Sequence, residues 1–526
     1  MSPPAAVSPP WKASATSGKV DTSITVIDGW LDSGNELSDD LCIETLHTLY
    51  QRGATTPVAV VRSVYERIAA YSDKAVWITL VPQEEAVRRA ERLQHLADTE
   101  AQQQALFGIP FSVKDSIDVA GMPTTLACPS FAYTALTTAP VVQRILDAGG
   151  ILIGKTNLDQ FATGLNGTRS PYGIPRCVHD PDYVSGGSSS GSVVSVAANL
   201  VSFTVATDTA GSTRVPAALN GMVGLKPTLG TISTVGLVPA CKTADCITII
   251  ARTVESTVAA LDVMQAYDED DVYAREPQQL AMLVQQEAAL SKPLEPNTSL
   301  SPSSKTSTAR NLRIGLPPQE LLDSVLSPEY ARLFERFTAR LADLDIHVAS
   351  EFDYAPFASA NAMLYGSSIV AQRIVAFKDY LDRHGHDQLH PVIREIFESS
   401  AGFDAVRAYQ DIFDLASFRR LAAKQFRRGS GGGSDGIDVL VVPSTATHPT
   451  VEEMLADPIN LNKRLGSFSH FVNLLDLCAV SIPVTGATWK SRRLGRDMPF
   501  GITLISLPGS DRRLLQLCQH LRNMRV

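Results

Sequence analysis

The chain has 526 residues, of which 44% are hydrophobic and 19% charged, and its net charge is −9. This is a globular composition, and the acidic balance excludes the basic footprint of a nucleic-acid binder. The seven cysteines are scattered and odd in number with no CxxC pair, which argues against a disulfide framework and predicts reduced thiols in a cytoplasmic protein.

Residues 1–24 are proline-rich and lack an apolar core, so they predict a disordered tail rather than a secretory signal. Residues 25–526 predict a single domain. Ser38 stands where an N-cap would start the helix DDLCIETLHTLYQR, with Gly53 as its stop. A second helix runs from about Pro57 to Tyr71, and a third covers EEAVRRAERLQHLADTEAQQ. The apolar run FGIPFSV then leads as a strand into Lys114-Asp115. Helix VVQRILDA and strand ILIG follow. Tyr183 to Thr207 carries no charge, but serine, glycine and asparagine interrupt it, so a buried helix and strand fit it better than a lipid span. LRIGLPPQ predicts another strand, YARLFERFTARLADL a long helix, and 359–428 a mainly helical stretch. Residues 437–444 and 500–508 read as buried strands, and DRRLLQLCQHLRNM as the last helix. Two polar stretches, 294–310 and 428–436, predict flexible insertions. The alternation of helices with buried strands predicts an α/β fold.

The stretch Ser185–Arg214 ties two serine-bearing loops to the ends of one uncharged apolar segment. A serine hydroxyl attacks only when a base takes its proton. No histidine lies near these loops except His179, which precedes an Asp-Pro turn. Lys114 ends an apolar strand, where desolvation would lower its pKa and leave an amine able to accept a proton. The alternative is an ion pair from Lys114 to Asp115 or Asp118. The small residues Thr209, Ala210, Gly211 and Ser212 could converge their N–H groups on an oxyanion, or simply form a turn. The loop Gly186–Ser192 could instead cradle a phosphate at a helix start.

GGILIGKT, residues 149–156, matches the P-loop pattern, but a helix precedes it and its variable positions are strand-like, against the required strand–loop–helix order. His384, His386 and His390 read as an exposed helix end, with no partner at metal-ligand spacing. Neither a metal nor a cofactor is expected.

PFSVKD, SGGSSSGS and DTAGSTRVPAALNGMVGLKPT together resemble the amidase signature family of serine hydrolases. The resemblance runs from about residue 40 to the C-terminus. It implies a large central mixed β-sheet covered by helices on both faces, and a Ser-cisSer-Lys triad. Lys114 is then the base, Ser188 the serine after a cis peptide bond, and Ser212 the nucleophile. It further implies an oxyanion hole from the backbone of Thr209, Ala210, Gly211 and Ser212. Ser189, Asp208 and Arg214 would orient the loops, and Ala162 would lie in the substrate-binding backbone.

GKTNLDQFATGLNGTRSPYGIP, VPACKTADCITIIARTV and SHFVNLLDLCAVSIP are similar to the allophanate hydrolase branch, which serves urea degradation and nitrogen metabolism. Allophanate is urea bearing a carboxylate, so its site needs a cation. MLYGSSIVAQR, read as one helix, places Tyr365 and Arg373 two turns apart and about 80° around the axis. An arginine fork there matches a carboxylate, and the pair resembles the branch's carboxylate-binding Tyr and Arg. The resemblance implies ammonia release through an acyl-enzyme, with N-carboxycarbamate as the first product. Many branch members carry a further C-terminal domain that processes this product. Here the sequence ends at Val526, which leaves that step to spontaneous reaction, another protein, or a longer chain. The partner expected is a small-molecule substrate, with neither nucleic acid nor membrane. A homodimer and a pathway link to a biotin-dependent urea carboxylase are also compatible with the branch. The alternatives are an amidase acting on another small amide and one component of a glutamine-dependent amidotransferase.

Overall fold

The computed structural model describes residues 40–96, 104–290, 312–344, 346–426, 436–522 and 524–526. The expected tail at 1–24, the Ser38 cap, the insertion at 294–310 and residues 428–435 of the second insertion lie outside the described residues. The strands are β1 (Trp77–Leu80), β2 (Pro110–Lys114), β3 (Pro123–Thr124), β4 (Tyr133–Thr134), β5 (Ile151–Thr156), β6 (Phe203–Asp208), β7 (Val223–Lys226), β8 (Cys246–Ala251), β9 (Leu312–Gly315), β10 (Ile346–Val348), β11 (Val439–Pro443), β12 (Cys478–Lys490) and β13 (Asp497–Ser506). Among the described residues, β3 and β4 form a small ribbon. The other strands make one 11-stranded sheet in the order β1-β5-β2-β6-β8-β7-β12-β13-β11-β9-β10.

The sheet is mixed. β2 runs parallel to both β5 and β6, whereas β6 is antiparallel to β8. Alternate residues of a strand point to opposite faces. In β2, β5, β6 and β8 every residue is buried, so both faces are covered there, as the α/β reading requires. The uncharged stretch between the serine loops becomes the helix Ser190–Ala197 followed by β6. The helix Pro57–Ala70 shows the local logic. Thr56 caps it by accepting from Ala59 N–H, Pro57 sits in the first turn, and Val60, Val61, Val64, Tyr65 and Ile68 bury one face.

Three expectations change. The first helix runs Ile43–Gln51 with Cys42 as its cap residue, and Asp40 accepts from Cys42 N–H just outside it. The long helix after 327 ends at Arg340 and tightens into a 3-10 turn over Leu341–Leu344. The segment read as one helix around 365–373 is broken. Ala355–Gly366 ends, Ser367 is extended and caps a 3-10 turn over Ser368–Ala371, and Gln372–His384 begins anew. Tyr365 and Arg373 therefore belong to different helices, and the one-axis geometry does not apply. Gly366 weakens the helix there, while the Ser367 hydroxyl accepts from Ile369 N–H and Asp411 accepts from Ser368 N–H, starting a new turn. GGILIGKT supplies interior strand β5, so it holds no phosphate loop. No helix among the described residues is long and apolar enough to cross a membrane.

Candidate active site

Lys114 is the last residue of β2 and is fully buried. Its Nζ lies 2.8 Å from Ser188 Oγ and 2.7 Å from Thr207 Oγ1. Burial drives its pKa down to about 7, and the Arg373 charge adds to this, while Asp159, Asp208 and Asp245 pull the other way. A neutral amine has one lone pair and two N–H bonds. With Thr207 accepting one N–H, the lone pair is free for the Ser188 proton.

The ion-pair alternative for Lys114 fails. Asp115 pairs with Lys155 at 3.3 Å and accepts from Thr125 and Leu126, while Asp118 accepts from Thr124 and Tyr133. Asp115 follows Lys114 just past the end of β2, where successive side chains still point to opposite sides.

The two serine loops meet at the ends of β2 and β6. The Gly187–Ser188 peptide is cis. Ser189 N–H donates to Ser212 C=O at 3.3 Å, and Ser189 Oγ–H donates to Thr207 C=O at 3.2 Å. Both serines of the expected relay are buried. Among the described residues Ser188 Oγ and Ser212 Oγ do not hydrogen-bond each other, so the relay is connected from Lys114 to Ser188 and open to Ser212. Catalytic hydrogen bonds commonly tighten only when substrate is bound.

Asp208 organises the second loop. Its carboxylate accepts from Gly211 N–H at 2.7 Å and Thr213 N–H at 3.3 Å, and takes the Arg214 fork at 2.9 and 2.8 Å. Burial pushes this carboxyl upward, but Arg214 and the amides outweigh it and hold it below the usual range. Gly211 sits at φ +118°, and a methyl group there would lie 2.4 Å from Ser469 Oγ, so glycine is required. The Gly211 amide, one of the four expected oxyanion donors, points to Asp208 in this structure. Among the described residues the amides of Thr209, Ala210 and Ser212 have no acceptor.

Arg373 is buried and donates to Thr163 Oγ1 at 2.6 Å and to Phe161 C=O at 3.5 Å. Those contacts brace the Phe161–Ala162 backbone, where φ is +52° and +50°. Ala162 is buried, and its N–H donates to Asp159 C=O at 2.9 Å. Tyr365 lies edge-on to His470, with ring centroids 5.4 Å apart, and lines a cavity of about 150 Å³ with Arg169, Asn462 and Lys463. Tyr365 and Arg373, on separate helices, both act electrostatically on Arg169, which lines that cavity with Tyr365.

Several site residues were not singled out in the sequence. Thr207 is one, and Asp159 is another: its N–H donates to Ser188 C=O at 3.1 Å. Asp245 accepts from Thr209 Oγ1 at 2.5 Å. Ser469 Oγ donates to Ala210 C=O at 2.6 Å, and Asn473 Nδ2 donates to Asp208 C=O at 2.6 Å. The last three lie in VPACKTADCITIIARTV and SHFVNLLDLCAVSIP, two stretches that carry the branch resemblance, but nothing local in either marks these positions. His386 lies 3.5 Å from Glu398, and His390 caps the helix Pro391–Ser400.

Comparison with known proteins places this geometry. The chain is 35% identical to a urea amidolyase of Saccharomyces cerevisiae over 498 residues, which is 93% of this chain but 24% of that protein. It is 31% identical to a glutamyl-tRNA(Gln) amidotransferase component of Symbiobacterium thermophilum, covering 90% of this chain and 94% of that one. The structure superposes on Kluyveromyces lactis allophanate hydrolase with a TM-score of 0.74 and 32% identity, covering 91% of this chain and 74% of that chain. The amidase family model matches residues 59–515. With that span matched and a relative of similar length aligned almost end to end, this chain belongs to the amidase family.

Proposed function

We propose that this chain is a serine amidohydrolase acting on allophanate, with residues 25–526 forming one amidase domain. The carrying observation is the buried amine of Lys114, 2.8 Å from Ser188 Oγ, in a chain similar to an allophanate hydrolase. Lys114 takes a proton from Ser188, which takes one from Ser212. Ser212 Oγ then attacks the carbamoyl carbon. The amides of Thr209, Ala210 and Ser212 receive the oxyanion, with Gly211 holding the turn on Asp208. As the C–N bond breaks, the proton returns through Ser188 and ammonia leaves. Water adds to the remaining acyl-enzyme, releasing N-carboxycarbamate and regenerating Ser212. Arg373 and Tyr365 hold the substrate carboxylate, and the Ala162 backbone lies against it.

The urea amidolyase relatives support a position after a biotin-dependent carboxylation of urea. The unpaired thiols of all seven cysteines support a cytoplasmic setting. The test is ammonia release across allophanate, malonamate, biuret and glutamine, with Ser212→Ala as control. Allophanate should be the preferred substrate, and Ser212→Ala should abolish its turnover. Activity on glutamine alone, and only with added partner proteins, would favour a role inside an amidotransferase complex.

A further inference from the structure

We infer that Asp159 is a positioning residue for the proposed reaction: its main chain and carboxylate clasp the Gly187–Ser188 segment, whose Ser188 Oγ meets the Lys114 amine, and its charge acts on that amine. The inference rests on the base-relay reading above and names a residue outside it.

The clasp is a matter of packing and hydrogen bonds. Asp159 is fully buried, and its N–H donates to Ser188 C=O at 3.1 Å. Its Oδ2 accepts from Gly167 N–H at 3.0 Å and Asn166 N–H at 3.3 Å, and its Oδ1 from Arg169 N–H at 3.0 Å. A methyl group on Gly187 would lie 2.2 Å from that Oδ2, so the carboxylate rests directly on the Gly187 backbone. In each of these bonds the carboxyl accepts, which is the pattern of an ionised group. The Arg169 guanidinium donates instead to Thr163 C=O at 2.9 Å and Pro458 C=O at 2.8 Å. Asp159 is therefore held by amides, without a bidentate cation.

The charged groups that act most strongly on Lys114 are three carboxylates and one guanidinium. Asp159 is the strongest of the three carboxylates, Asp208 and Asp245 follow, and Arg373 opposes them. Asp208 is spent on the Arg214 fork, and Asp245 on Thr209 and the amides of Ala240 and Cys241. Burial raises the Asp159 carboxyl itself, against which Arg169 and the three amides act. Removing its charge while keeping its size would therefore make Lys114 easier to deprotonate and loosen the seat of Ser188.

A loop staple and a positioning residue predict different pH behaviour. The experiment measures the rate at which a fluorophosphonate labels Ser212 between pH 5 and 9, with the site identified by peptide mass spectrometry. Wild type should show an acid limb near pH 7, following the value of about 7 for Lys114. Asp159→Asn should lower the plateau at least about tenfold and move the limb about one unit to lower pH. Asp159→Glu keeps the charge but not the fit, so its plateau should fall with the limb in place. A folded Asp159→Asn whose limb is unmoved overturns the inference. If circular dichroism shows Asp159→Asn unfolded, Asp159→Glu decides: a wild-type plateau or a displaced limb overturns it, and a lowered plateau with the limb in place upholds it. Absence of Ser212 labelling in wild type would instead sink the base-relay reading itself.

Discussion

Lys114 and Arg373 are both cations sealed from water, yet the chain treats them oppositely. Lys114 receives two hydroxyls and no carboxylate, so burial can strip its proton. Arg373 Nη1 donates to Thr163 and the Phe161 carbonyl, leaving other guanidinium donors for a ligand. Arg373→Ala should raise KM for allophanate by about a hundredfold, as expected for a lost charge-assisted pair of about 2–3 kcal/mol. Neutral amides should be affected much less, and steady-state kinetics on both classes will show the split. The positions of the proposed triad could be picked out because Lys114, Ser188 and Ser212 sit in unusual local strings. Thr207, Asp159 and Asn473 were not, because each is an ordinary polar residue whose meaning comes from what lies across from it in space.

Those meetings are set by strand register and by where helices stop. Parallel pairing of β2 with β6 brings Val113 opposite Val205, which carries Lys114 and Thr207 into reach of each other. Nothing local in either strand encodes that pairing. The break after Gly366 was hidden for a related reason. The apolar spacing continues through it, and the residue that completes the new turn, Asp411, comes from a distant helix. Glycine positions were easier, since close approach leaves no other choice. Gly187→Ala would drive a methyl to 2.2 Å from Asp159 Oδ2 and 2.6 Å from Gly167 N. Neither atom has room to move. Turnover should fall at least about a hundredfold, as for a misplaced catalytic group, with circular dichroism unchanged.

Within the described residues the central strands β2, β5, β6 and β8 are buried on both faces, and that burial makes unpaired charge costly. Lys155 and Asp115 form an ion pair with both side chains fully covered. Burial pushes the Lys155 pKa down and the Asp115 pKa up, and their mutual attraction opposes both shifts. Lys155→Met should destabilise the fold by about 3–5 kcal/mol, read as a lower urea midpoint. Adding Asp115→Asn should recover part of the loss, because the stranded carboxylate is gone. The α/β class was legible from alternating apolar runs. The strand order was not, since β12, in a local hairpin with β13, joins the two halves of the sheet by pairing with β7 far earlier in the chain, Ala479 opposite Lys226.

The central claim is that hydrolysis is driven by an uncharged buried amine. The pH dependence of kcat/KM for allophanate tests it most directly. Lys114 is neutral and competent above its pKa of about 7 and protonated below it. The profile should therefore be flat above neutrality and fall tenfold per pH unit below an apparent pKa near 7. A profile level down to pH 5, or one that keeps rising to pH 10, would contradict the account.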